Sequence, residues 1–160
     1  MAGGIGENGN FQNVHATSLL VADRGVLITG ASGAGKSALA FALIAMQRSA
    51  GRFAALVSDD RTVLRAANGR LLASPPETLA GGIEIRGAGL FAMAHEKTAI
   101  IHLLVDLAPP EEAVRYPDGA QRALCGIKLP LLVLPAQQSE SLAAGRAVEA
   151  ALFMPPWPFG

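Results

Sequence analysis

Cysteine is almost missing from this sequence: Cys125 stands alone among 160 residues. No disulfide can therefore close within the chain, and CxxC-type metal or redox motifs are excluded. A lone thiol is consistent with a reducing compartment, and a cytoplasmic location is expected. An excess of charge is missing too, with 13 Lys and Arg against 13 Asp and Glu. Nothing there draws the chain toward nucleic acid or an anionic membrane, so neither is expected as a partner. Long apolar runs are absent. "AIIHLLV" and "LPLLVLP" fall far short of the roughly 20 residues that span a bilayer. The opening "MAGGIGENGNFQN" has no basic or apolar region of a signal peptide, and residues 1–13 read as a flexible leader. What remains is a globular composition, 51% hydrophobic and 16% charged, at a length that suits one domain.

The apolar pattern orders that domain. "GVLIT" (25–29) reads as a buried strand, and "SALAFALIAMQRSAG" from Ser37 as a helix stopped by Arg48 and Gly51. "AALVSDD" (54–60) reads as a strand running into two carboxylates. Asn68-Gly69 between apolar runs signals a hairpin, since both central residues of a type I′ turn need positive φ. "PPETLAG" (75–81) suits a short helical turn, and "GIEIRG" (82–87) and "TAIIHLLVDL" (98–107) suit strands. "IKLPLLVL" (127–134) suits a strand bent or placed on an edge by Pro130. Residues 139–154 suit an amphipathic helix, and "PPWPFG" (155–160) an aromatic, proline-rich tail. The expected fold is α/β, a P-loop domain over 14–154 with a mixed sheet flanked by helices.

Between the first strand and helix stands "GASGAGKS", which fits G-x-x-x-x-G-K-[ST] with Gly30, Gly35, Lys36 and Ser37 in the fixed places. Polyphosphate oxygens need many converging N–H donors, and glycine lets the backbone curl without a Cβ in the way. Gly30, Ala31, Ser32, Gly33, Ala34, Gly35, Lys36 and Ser37 are thus the candidate nucleotide-binding residues. The helix start adds its dipole, Lys36 a charge toward the β- and γ-phosphates, and Ser37 a hydroxyl for Mg2+. A chance glycine-rich turn is the alternative, and the strand before and helix after speak against it.

Asp59 and Asp60 follow the next strand. They read either as solvated loop acids or, given the P-loop, as acids at the site. Adjacent strand residues point to opposite faces, which would give them different jobs. Glu84 and Arg86 share a strand face, either as a surface ion pair or with Glu84 at a metal and Arg86 at a carboxylate or phosphate. His15 reads from spacing alone as a polar residue at the start of a strand.

In order, "VHAT", "GVLITGASGAGKSAL", "LVSDDRTVL" and "GIEIRGAGL" resemble the catalytic domain of HPr kinase/phosphorylase. The likeness covers roughly residues 14 to 107, with a weaker continuation to about 135. It implies a cytoplasmic enzyme of phosphotransferase-system regulation, moving the γ-phosphoryl of ATP to a serine of an HPr-like phosphocarrier protein, in many members reversibly. Carried onto matching positions, Ser37 and Glu84 would hold Mg2+ and Asp60, beside Asp59, would accept the serine proton. His15 would sit near the transferred phosphate, and Arg115 in "AVRYPDG" would assist transfer. A homo-oligomer is implied, with a hexameric ring as one form. The chain departs from the family in three places. It carries only a short leader before the catalytic domain, so it resembles the catalytic-domain-only forms. "RSAGRFAA" lengthens the helix–strand connection. The uncharged "LPLLVLPAQQ" replaces the loop tied to dephosphorylation, which favours the forward direction.

Two other classes remain open on sequence grounds. A small-molecule P-loop kinase would carry an arginine-bearing lid, and Arg61, Arg65, Arg70, Arg86, Arg115 and Arg122 form no such cluster. A nucleotide-sensing regulator with little catalysis would use the P-loop and offer "FMPPWPFG" to a partner. In that tail, Trp157 and Phe159 read either as docking residues or as side chains folded back on their own domain.

Overall fold

The structure, a computed structural model, describes residues 10–136 and 142–158. Eleven strands and two α-helices follow one another along the described chain. β1 (Phe11–Val14), β2 (Thr17–Val21) and β3 (Arg24–Gly30) precede α1 (Lys36–Ser49). β4 (Ala54–Ser58), β5 (Thr62–Ala67), β6 (Arg70–Ser74), β7 (Gly82–Ile85), β8 (Gly89–Ala92) and β9 (Ala99–Ala108) come next. β10 (Gln121–Leu124), β11 (Ile127–Pro135) and α2 (Leu142–Phe153) complete the order.

The main sheet runs β1-β5-β6-β9-β3-β2-β4. β9 is long enough to be shared: it takes β3 along one edge, and β6 and then β11 along its length. β3, β9 and β11 are mutually parallel, while β2 is antiparallel to both β3 and β4. The carboxyl ends of β3, β4, β9 and β11 therefore share one edge, the place where open α/β sheets bind ligands.

Alternation along the central strands builds two cores. Val26 and Ile28 of β3 face one side with Leu103, Val105 and Leu107 of β9, under Leu39, Leu43 and Ile44 of α1 and Val148 of α2. Leu27 and Leu104 face the other side, with Leu64, Leu71, Ile101 and Leu129. Fully buried leucines such as Leu39 and Leu43 each contribute about 1.5–3 kcal/mol. The helices thus cover one face of the sheet, and the opposite face is closed by the sheet's own outer strands. The mixed α/β sheet with helices packed against it is as expected.

The Asn68-Gly69 hairpin forms between β5 and β6, with φ of 51° and 73°. Pro75 and Pro76 precede a 3-10 turn at Glu77–Leu79. Pro130 sits where β11 leaves β10 to join β9, as a strand bent by proline requires. Other boundaries differ. β1 forms ahead of residue 14 because Phe11–Val14 finds ladder partners in Arg65–Thr62, inside the stretch expected to be leader. The strand of "AALVSDD" ends at Ser58, since Asp60 takes a left-handed φ of 63° that breaks the extended run. β7 and β8 pair only with each other, in a ribbon beside the main sheet. Trp157 is 77% exposed and does not fold back, whereas Phe159 and the first residues of the helix expected from 139 lie outside the described residues.

Candidate active site

β3 delivers the chain to Gly30 at the carboxyl edge, where a side chain would be crowded. A Cβ there would lie 2.8 Å from the Leu107 carbonyl oxygen, and φ is 151°. The loop then turns on Gly33 and Gly35, and α1 starts at Lys36 with Gly35 as its N-cap. Gly35 offers no side-chain acceptor and the first turn holds no acid. The opening N–H groups of α1 therefore keep their hydrogen-bonding capacity and dipole for an anion. Lys36 carries the only charge in residues 30–37. It is buried, and its Nζ donates to the Gly30 and Ala31 carbonyls at 3.0 Å each. Burial pushes its pKa below the ordinary lysine value, against the opposing pull of Asp60 and then Asp59.

The aspartates arrive by a different route. Pairings Val14↔Thr62 and Ser18↔Ser58 bracket two chain corners, residues 15–17 and 59–61. At the first corner the chain passes from β1 into β2, and at the second from β4 into β5. The corners lie against each other, which brings residues 45 positions apart together. His15 Nε2 donates to Asp60 Oδ1 at 2.6 Å, the carboxylate being the acceptor. Ser37 Oγ donates to Asp59 Oδ1 at 2.5 Å, tying the second corner to the first turn of α1. Thr17 Oγ1 donates to Asp59 Oδ1 at 3.1 Å and accepts the Asp60 N–H at 3.3 Å. Ser58 Oγ donates to the Arg61 carbonyl, and Arg61 N–H to the Asp59 carbonyl at 2.7 Å, closing the turn.

The two aspartates thus part as expected, though for a different reason: a left-handed turn separates them, where pleating along a strand was expected to do so. His15 lies in the corner between β1 and β2 rather than at a strand start. Glu84 is exposed on β7, and its side chain makes no hydrogen bond or ion pair among the described residues; the same holds for the Arg86 side chain in the turn that follows. The segment after the ribbon is fastened to β4 by a bridge from His95 to Leu56 and by the Glu96 N–H to the Leu56 carbonyl at 2.8 Å. Arg115 lies in an exposed loop, its guanidinium 5.4 Å over the Tyr116 ring.

Sequence reasoning missed Thr17 and a further carboxylate, Asp106. Asp106 pairs in register with Thr29, the residue before the P-loop, and accepts its hydroxyl at 2.8 Å. Its other oxygen meets Arg122 Nη2 at 3.3 Å. The register of "LLVDL" beside "VLITG" was the available signal, but it needs the β3–β9 pairing to be read. A groove of about 420 Å3 lined by Ala67, Asn68, Arg70, Leu72 and Ile100 lies toward the amino end of β9, away from these groups.

Hard oxygens suit Mg2+, which takes one or two carboxylates and completes its shell with water and phosphate. The Ser37 hydroxyl against Asp59 is a donor set of that kind. Among the described residues no three His, Cys, Asp or Glu side chains cluster as an all-protein metal cage. No helix among the described residues is long and apolar enough to cross a membrane.

Comparison with known proteins agrees with this geometry. Residues 9–154 match the family model of the HPr serine kinase C-terminal domain. The chain is 32% identical over 138 residues to an HPr kinase/phosphorylase of Chloroherpeton thalassium, covering 79% of this chain and 39% of that protein. It is 30% identical over 141 residues to one of Caldicellulosiruptor bescii, covering 81% and 43%. It thus spans less than half the length of these curated relatives. The solved structure of the Hpr(Ser) kinase/phosphatase from Coxiella burnetii matches with a TM-score of 0.73 and 30% identity, covering 88% of this chain and 95% of that one. With its family model matched across residues 9–154 and relatives of about 30% identity over most of its length, the protein belongs to the HPr serine kinase C-terminal domain family, a family of protein-serine kinases.

Proposed function

We propose that this chain is an ATP-dependent protein-serine kinase that transfers the γ-phosphoryl group to a serine of an HPr-like phosphocarrier protein. The observation that carries the reading is the division of labour at the second corner: Asp59 is held on Ser37 at the start of α1, while Asp60 is held by His15 and stays largely open to solvent. One carboxylate faces the nucleotide side and the other faces where an acceptor would approach.

Residues 30–37 bind the nucleotide phosphates through loop N–H groups, and Lys36 neutralises charge as the phosphoryl group moves. Ser37 and Asp59, with Glu84 from the neighbouring ribbon, are the residues that would hold Mg2+, which when bound screens the phosphate oxygens. Asp60 takes the proton of the acceptor serine as its Oγ forms a bond to the γ-phosphorus and the bond to the ADP oxygen breaks. His15 donates to one Asp60 oxygen and leaves the other for that hydroxyl. Arg115 is assigned to assisting transfer on the acceptor side. The forward reaction is favoured over phosphorolysis, because "LPLLVLPAQQ" offers no charge to bind the attacking phosphate. The reading includes a catalytic domain at 14–154, a cytoplasmic location, a homo-oligomer and a role in phosphotransferase-system regulation.

The test is incubation with labelled ATP, Mg2+ and purified HPr-like carriers, followed by mapping of the labelled residue. Label on one carrier serine is expected, lost in Asp60→Asn. Phosphorylation of a small acceptor and of no carrier would overturn it, as would a D60N protein that still labels the carrier.

A further inference from the structure

We infer that Thr17 is a positioning residue for both aspartates, fixing Asp59 toward Ser37 and Asp60 toward the acceptor. The inference rests on the phosphotransfer reading above and adds to it a residue that touches neither substrate. Asp59 and Asp60 are consecutive, yet their carboxylates must serve two different groups, Ser37 and His15. The backbone achieves this by giving Asp60 a φ of 63°. Aspartate tolerates that region better than most residues with a Cβ, and contacts from the neighbouring corner select it here.

Thr17 makes those contacts. Its hydroxyl has one proton to give and lone pairs to accept, and both capacities are used at this corner. The proton goes to Asp59 Oδ1 at 3.1 Å, and the oxygen receives the Asp60 N–H at 3.3 Å. One side-chain atom thereby sets the Asp59 carboxylate and the Asp60 backbone together. The anchor is rigid. Thr17 is fully buried, and it pairs with Ile28 of β3, two residues before Gly30. The strand that feeds the phosphate loop and the turn that carries the carboxylates are therefore joined through it. Valine has nearly the same shape and can make neither bond. Serine can make both.

The experiment compares the parent, Thr17→Val and Thr17→Ser in two measurements on the full chain. The first is hydrogen exchange of the Asp60 amide with no nucleotide present. The second is steady-state transfer to the HPr-like carrier, with kcat and the KM for ATP determined separately. In T17V the Asp60 amide should exchange about tenfold faster, as for loss of one hydrogen bond. Its kcat should fall about tenfold to a hundredfold, as for a small misplacement of a reacting group. The KM for ATP should rise as the Asp59 carboxylate loses its hold, and T17S should restore parental values of both. Parental exchange and kcat in T17V would overturn the inference. So would equal losses in T17V and T17S, which would place the effect in packing of the methyl group. Where T17V does not fold, Thr17→Ala takes its place under the same criteria. A parent that labels no carrier would contradict the kinase reading, while the amide measurement would still decide whether Thr17 holds the turn.

Discussion

Acidic groups stand on both sides of the phosphate-loop strand, and the two sides differ in what their oxygens are free to do. On the β9 side, Asp106 has both oxygens committed, one to Thr29 and one to Arg122. Its charge is neutralised by a guanidinium and its position is set by strand register, so it braces the strand under the loop. On the β4 side, Asp59 and Asp60 sit beyond the end of their strand on a left-handed turn, and Asp60 is tied by a single histidine contact at a largely exposed side chain. Asp60 and Asp59 pull on the Lys36 charge, opposing the effect of its burial. A carboxylate useful for moving a proton needs an uncommitted oxygen and an open approach. Only the β4 side keeps both.

Substitutions sharpen that contrast. The largest effect is expected from Lys36→Ala, which removes the one charge of the loop and should lower transfer by about a thousandfold with loss of ATP binding. Asp60→Asn should lower kcat by about a hundredfold to ten-thousandfold while leaving the KM for ATP within about threefold, read by the same carrier assay. Asp106→Asn should do the reverse. Transfer should stay within about threefold, and chemical denaturation should show a loss of about 1–2 kcal/mol as Thr29 and Arg122 lose a charged acceptor.

A subtler difference lies in pH dependence. Because folding holds the Lys36 pKa below its ordinary 10.5, the unfolded chain binds more proton in the window just under that value. The Lys36 contribution to stability therefore rises with pH there, and Lys36→Met should remove that rise. D60N should lower the Lys36 pKa further, since an attractive charge is lost, and side-chain NMR titration reads the shift. The smallest effect belongs to Leu90 on the β7–β8 ribbon, 82% exposed, where Leu90→Ser should change stability by no more than about 0.5 kcal/mol.

Much of the P-loop side was legible in the sequence because its signals are local. The fixed spacing of Gly30, Gly35, Lys36 and Ser37 falls between an apolar run and a run of helix formers, and the structure places a strand and a helix there. Asn68-Gly69 likewise carries its turn chemistry in two adjacent residues. The corner that joins His15 to Asp60 was not legible, since it depends on strand pairing across 45 residues. Thr17 gives no local signal for the same reason, since its partners Asp59 and Asp60 lie more than 40 residues away. The β10–β11 hairpin escaped notice because its turn is Cys125-Gly126, with Cys125 at a φ of 49° that no cysteine advertises. The left-handed turn at Asp60 was not legible, because an aspartate in that region looks, in sequence, like any strand-end acid.

The central claim is that Asp60 serves the acceptor while Lys36 and Ser37 serve the nucleotide. Equilibrium binding of ATP with Mg2+ to the parent, K36A and D60N, set beside carrier phosphorylation by the same three proteins, tests it most directly. Retained ATP affinity with abolished transfer in D60N, and loss of both in K36A, is the predicted result. Parental carrier phosphorylation in D60N, or a loss of ATP affinity in D60N equal to that in K36A, would contradict it.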